Sequence, residues 1–224
     1  MIRCALACLA AAWTFGAHAI PFPFTDGQYE TSAVALADQD AAANDDSTAT
    51  SSLPLVTSAS VGTTDTATGN GVAVEGVLAS LVETQSAVGV ASATGQARFF
   101  GSFLGGQAFR LHVLFDSLTE TLGDGSSLGT LSLLFMSNGV TLLDEAMDAS
   151  TELTRTVLLP RGALNVFDIS VFSEALTLAN GFASNAATVT FDVALVPEPA
   201  AWLLMLPLLL VLVRMQRVAR VARR

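Results

Sequence analysis

Phe109-Arg110-Leu111-His112-Val113-Leu114-Phe115 carries the reading that decides the fold. The odd positions are apolar and the even ones mostly polar. Successive side chains of a strand point to opposite faces, so this pattern sets one face on a core and the other in solvent. The same rhythm recurs downstream. Leu131, Leu133 and Phe135 alternate with Thr130, Ser132 and Leu134; Phe167, Ile169 and Val171 alternate with Asp168 and Ser170; Val189, Phe191, Val193 and Leu195 alternate with Thr190, Asp192 and Ala194. No long segment keeps a helical period.

Between these runs stand Gly69-Asn70-Gly71, Gly105-Gly106, Gly123-Asp124-Gly125-Ser126, Asn138-Gly139 and Asn180-Gly181. Such residues reach the positive φ of tight turns and are expected to join neighbouring strands. The fold expected is mainly β: an antiparallel β-sandwich of seven or eight strands over residues 71–196. Its core falls to the phenylalanines, and of Phe99, Phe100 and Phe103 two are expected to point inward.

Residues 20–70 read differently. Asp38, Asp40, Asp45 and Asp46 sit among alanines, and residues 47–68 are mostly Ser, Thr and Ala. That composition buries little apolar surface against the entropy of ordering, so a low-order acidic linker is expected, open to O-glycosylation. Val56, Ala59 and Val61 leave room within it for an edge strand.

Charge narrows the partners. The chain has a formal charge of −10 at pH 7 and no lysine. Over residues 20–196 only Arg98, Arg110, Arg155 and Arg161 oppose nineteen acids, a net of −15. Phosphate backbones are repelled by such a surface, which argues against nucleic acid as a partner.

The first nineteen residues read as a secretory signal peptide. Arg3 gives the positive start, an apolar run follows, and Ala17-His18-Ala19 offers small residues before a cut at Ile20. A first core helix is the competing reading, and lipidation at Cys8 is disfavoured by the poor lipobox Ala5-Leu6-Ala7. Cys4 and Cys8 are the only cysteines. Their removal leaves a mature protein with no disulfide, even in an oxidising compartment.

The other end is more specific. Val196-Pro197-Glu198-Pro199 precedes an uncharged run from Ala200 to Val213, then Arg214, Arg217, Arg220, Arg223 and Arg224. As a helix the run spans about 21 Å, short of a hydrocarbon core of roughly 30 Å. It has no polar stripe, and the arginines beyond it snorkel and hold the C-terminus in the cytoplasm. Trp202 stands near the outer end, where an interfacial aromatic belongs.

This order of motif, helix and basic tail resembles the PEP-CTERM sorting domain, over about residues 196–220. The resemblance implies recognition of Val196, Pro197, Glu198 and Pro199 by an exosortase, a membrane cysteine transpeptidase. It implies a transmembrane helix at 200–213 acting as a transient inner-membrane anchor, a basic stop at Arg214, Arg217 and Arg220 within a tail of 214–224, and release or transfer to the cell surface. It points to bacteria that build exopolysaccharide and biofilm. The remaining partners are the export translocon and signal peptidase. A permanent tail anchor with a proline-rich hinge is the competing reading.

Catalytic chemistry is hard to assemble. His112 is the only histidine after Ile20; it lies on a polar strand face with Arg110 and Asp116, and no Gly-x-Ser-x-Gly elbow accompanies it. One histidine without thiols cannot build a usual zinc site. Asp144-Glu145 with Asp148, or Gly123-Asp124-Gly125, offer oxygen ligands but match no calcium loop. No cofactor or metal is expected. The function expected is a non-enzymatic cell-surface or matrix component. The alternative is a carbohydrate- or Ca²⁺-binding adhesion module with the same sorting and with exopolysaccharide as partner.

Overall fold

A computed structural model of the chain describes residues 24, 26–38, 43–49, 53–105, 108–159 and 162–196. They form twelve strands: β1 (Gln28–Ala37), β2 (Ala43–Ala49), β3 (Leu55–Val61), β4 (Thr66–Val74), β5 (Val77–Ser86), β6 (Ala91–Gly105), β7 (Ala108–Leu122), β8 (Gly125–Ser137), β9 (Val140–Met147), β10 (Thr151–Leu158), β11 (Ala163–Thr177) and β12 (Gly181–Val196). All pairings are antiparallel. One sheet runs β2-β1-β6-β11-β8-β9 and the other β10-β7-β12-β5-β4-β3. The two sheets stack as a sandwich, as expected from the alternation. Leu111, Val113 and Phe115 of β7 face inward, as do Leu131, Leu133 and Phe135 of β8 and Phe167, Ile169 and Val171 of β11. Phe99 and Phe103 are buried while Phe100 faces outward.

The strand count exceeds seven or eight because the stretch read as low in order supplies β1, β2, β3 and the start of β4. The sandwich therefore begins at Gln28, not at residue 71. Thr31, Ala33, Ala35, Ala37, Thr57, Ala59 and Ala67 from this stretch are all buried. Each contributes little apolar area, but together they pack beside the glycines at which the two sheets come into backbone contact. The edge strand allowed around Val56 and Ala59 is β3.

Side-chain size grades along the core. The inner face of β6 reads Ala91, Ala93, Gly95, Ala97, Phe99, Gly101, Phe103, and that of β11 reads Thr177, Ala175, Ser173, Val171, Ile169, Phe167. At the thick end Phe24, Phe99, Phe167 and Phe191 cluster, with ring centroids 4.8 Å apart for Phe24–Phe99 and 5.9 Å for Phe167–Phe191. Each such ring, once buried, contributes about 1.5–3 kcal/mol by area. At the thin end, backbones touch. A Cβ at Gly69 would overlap the Thr94 carbonyl oxygen, one at Gly71 that of Gln96, and one at Gly95 that of Asn70. Gly69-Asn70-Gly71, expected as a turn, is thus the middle of β4. Its glycines serve close approach to β6, a demand from across the sandwich that local sequence does not show.

The expected turns at Gly123, Asn138-Gly139 and Asn180 do form, with φ of 63°, 48°, 77° and 62° respectively. Between the sheets, the Ser173 hydroxyl donates to Asn185 Oδ1 at 2.7 Å; within its own sheet Asn185 Nδ2 donates to Ser117 Oγ at 3.1 Å and Thr119 Oγ1 at 3.0 Å. These bonds satisfy polar groups that the thin core could not otherwise bury.

Turns at the thin end are laced by aspartates. Asp65 Oδ1 accepts from the amides of Ala87 at 2.8 Å and Val88 at 3.2 Å, and from the Ser86 hydroxyl at 3.1 Å. Asp38 Oδ2 accepts from the Val90 amide at 3.0 Å. The Ala87 and Val88 amides hold the Asp65 carboxyl below the usual carboxylate range, outweighing its desolvation. A depressed folded pKa adds stability above the unfolded value of about 3.9 and loses it as pH falls through the folded one. The melting-temperature gap between wild type and Asp65→Asn is therefore expected to be constant from pH 7 to about pH 5 and to close below about pH 4. A gap that persists unchanged at pH 2 would contradict this role.

Candidate functional site

The sheet containing β1, β6, β11 and β8 exposes its even-numbered positions on an outer face. Register sets them in rows. One row is Leu36–Ser92–Leu176–Ser126 and the next is Val34–Thr94–Glu174–Leu128. Over these rows lies an open depression of about 330 Å³, lined by Ser92, Thr94, Ser126, Leu128, Glu174 and Leu176. It sits outside the thin end, where the inner layer beneath is Ala93 and Ala175. No side chain among Ser92, Thr94, Ser126 and Glu174 forms a hydrogen bond or ion pair with another described residue. Hydroxyls, one carboxylate and two leucines thus meet in one hollow with their bonding capacity unspent.

The same face carries a polar cluster nearer the thick end. Arg98 grips Asp168 through two bonds, Nε–Oδ1 at 2.9 Å and Nη2–Oδ2 at 2.6 Å, and reaches Glu30 at 3.5 Å. The Asp168 hydrogen bond raises the guanidinium pKa further above its ordinary value. Phe100 lies beside it, 5.9 Å from the guanidinium carbon to the ring centroid. Gln28, Glu30, Arg98 and Phe100 line a second hollow of about 250 Å³. Here the cation and its acids already satisfy one another.

His112 lies on the outer face of the other sheet. Its Nε2 is 3.0 Å from Glu152 Oε1, both side chains being largely exposed. Register sets it opposite Asp192 on β12 and Thr154 on β10, not beside Asp116, which pairs with Thr188. Its one side-chain partner among the described residues is that glutamate, and no serine hydroxyl joins it. The calcium candidates are dispersed. Asp124 lies in the β7–β8 turn, Glu145 of β9 is bonded to Arg155 at 3.5 Å, and Asp144 faces Leu134. Among the described residues no three His, Cys, Asp or Glu lie close enough to hold a metal ion.

Of the sorting residues, Val196 ends β12, paired with Ala108 of β7. Pro197, Glu198, Pro199, the 200–213 helix, Arg214, Arg217 and Arg220 lie outside the described residues, as do Ala17, Ala19 and Ile20. No described segment is a helix long and apolar enough to cross a membrane.

No family model and no curated protein matches the chain. Three solved structures show distant likenesses. The PA14 domain of the antifreeze protein MpAFP is 9% identical with a TM-score of 0.25, over 46% of this chain and 45% of that one. The secreted serine protease VesC from Vibrio cholerae is 8% identical with a TM-score of 0.27, over 77% and 45%. A family 35 carbohydrate-binding module from an environmental isolate is 16% identical with a TM-score of 0.20, over 52% and 77%. This chain spans less than half the length of the first two. At such TM-scores no property of these proteins passes to it.

The hollow on the outer face escaped sequence reading. Ser92, Thr94, Ser126, Leu128, Glu174 and Leu176 come from three strands far apart in the chain. Strand alternation marks them as outward-facing, but only the register of β6 on β11 and β11 on β8 gathers them.

Proposed function

We propose that this protein is a non-enzymatic component of the bacterial cell surface or extracellular matrix, exported by its N-terminal signal and sorted by its C-terminal one. The observation that carries the reading is the ordered series Val196-Pro197-Glu198-Pro199, apolar run and arginine tail. Pro197 and Pro199 carry no amide donor and disfavour helix, which suits a segment gripped in extended form by a transpeptidase. The run from Ala200 to Val213 is too short for a comfortable permanent anchor, which suits one that is removed. β12 ends at Val196, so the motif follows the sandwich without a spacer. Intact-mass measurement on protein from the native host is expected to give a start near Ile20 and an end near Pro197-Glu198-Pro199. A surface fraction that retains the arginine tail would overturn the sorting reading.

The hollow bounded by Ser92, Thr94, Ser126 and Glu174 favours a second, compatible reading, a saccharide-binding adhesion module. Unspent hydroxyls suit the hydroxyls of a sugar, and Leu128 and Leu176 suit its C–H faces. Binding of the protein to isolated exopolysaccharide, measured with and without chelator, separates this reading from a passive role and from Ca²⁺-dependent adhesion. No binding in either condition would leave the passive role alone.

A further inference from the structure

We infer that the hollow over β6, β11 and β8 takes a hexose chain bearing free amines, a glucosamine-type polymer rather than a neutral or uronic one. The inference rests on the saccharide-binding reading of this face. Glu174 is exposed and has no hydrogen bond or ion pair with another described residue. The arginine of the same face, Arg98, pairs with Ser170 in register, four residues along β11 from Glu174, or about 13 Å. It is already held by Asp168 and Glu30. Nothing basic lines the hollow. A carboxylate left without a cation, among hydroxyls, is a site for an ammonium.

The rest of the lining fits the rest of the sugar. Ser92 and Thr94 lie on one side and Ser126 on the other, each hydroxyl offering one donor and two acceptors. Leu176 lies between Ser92 and Ser126, and Leu128 lies beside Glu174. Three strands and two rows cover roughly 10 by 7 Å, and the volume of about 330 Å³ is at the small end of ligand sites. Long-range charge points the same way. A net of −15 over residues 20–196 attracts a polycation and repels uronate or sulfate chains.

Calorimetric titration of the full chain in detergent tests this with two probes: a tetrasaccharide of glucosamine and the same tetrasaccharide fully N-acetylated. The amine form is expected to bind more tightly, and Glu174→Gln to weaken it about tenfold or more. Glu83→Gln, on the outer face of the other sheet, is expected to leave it unchanged. Circular dichroism checks that both variants are folded. Equal binding of the two probes, insensitive to Glu174→Gln, overturns the amine inference and leaves the saccharide reading standing. Equal weakening by Glu83→Gln reduces the effect to the general field and also overturns it. Binding of neither probe overturns the amine inference, and the saccharide reading then falls only if isolated exopolysaccharide also fails to bind.

Discussion

Gly95→Val is expected to destabilise the sandwich by about 3 kcal/mol or more, the upper range for overpacking a close-packed interior. Judged locally the change should help, since valine exceeds glycine in strand propensity within a scale of about 1 kcal/mol. The tertiary contact decides otherwise. A Cβ at Gly95 overlaps the carbonyl oxygen of Asn70 on the facing sheet. That oxygen belongs to the backbone of β4, which is hydrogen-bonded to β3 on one side and β5 on the other, so it cannot step aside alone. Gly139 makes the contrast. A Cβ there meets nothing within 4 Å, and with φ at 77° its replacement by alanine carries only the left-handed backbone cost of about 1–2 kcal/mol. Denaturant midpoints followed by circular dichroism measure both. A Gly95→Val midpoint equal to wild type would mean that the sheets are not in backbone contact at the thin end.

Phe167→Ala is expected to cost about 3–5 kcal/mol, as for aromatic truncation in a core that cannot collapse around the gap. Phe167 is 1% exposed and stands on the central strand β11, opposite Phe135 of β8 in register. Its ring packs against Phe24, Phe99 and Phe191 at centroid distances of 6.1, 6.2 and 5.9 Å. Removal takes one packing partner from each of three rings, and the strands on both sides hold the gap open. Phe172, five residues along the same strand, faces outward between Gln96 and Thr130. Its truncation is expected to cost less than about 1 kcal/mol. Comparable midpoints for the two variants would contradict the assignment of inner and outer faces.

Both substitutions concern phase and distance, and these differ in how far local sequence carries them. Phase was readable. The alternation around Phe115, Phe135, Phe167 and Val189 survives into the sandwich because each strand has one buried face, and burial is what alternation records. Turns at Gly123, Asn138 and Asn180 were readable for a related reason, since positive φ selects glycine and asparagine locally. The thin end was not readable. Ala33, Ala35, Ala59 and Ala67 resemble a linker by composition, and their burial depends on β3 and β4 lying across from β1 and β6. Gly69 and Gly71 have the composition of a turn because glycine serves close approach as well as positive φ, and only a facing backbone distinguishes the two uses.

By itself the sequence determined the mainly β fold class, the facing of most core residues, and the acidic composition. It also carries the whole case for sorting at Val196-Pro197-Glu198-Pro199, since that case rests on the order of segments along the chain. Tertiary structure alone decided that residues 28–70 contribute strands, that the core tapers from phenylalanine to glycine, and that Ser92, Thr94, Ser126 and Glu174 share one hollow. The physical reason is that strand period is a property of neighbours in sequence, whereas sheet spacing and strand register arise from residues up to about a hundred positions apart, such as Ser80 and Ser173, which share a hydrogen bond of 2.5 Å across the core.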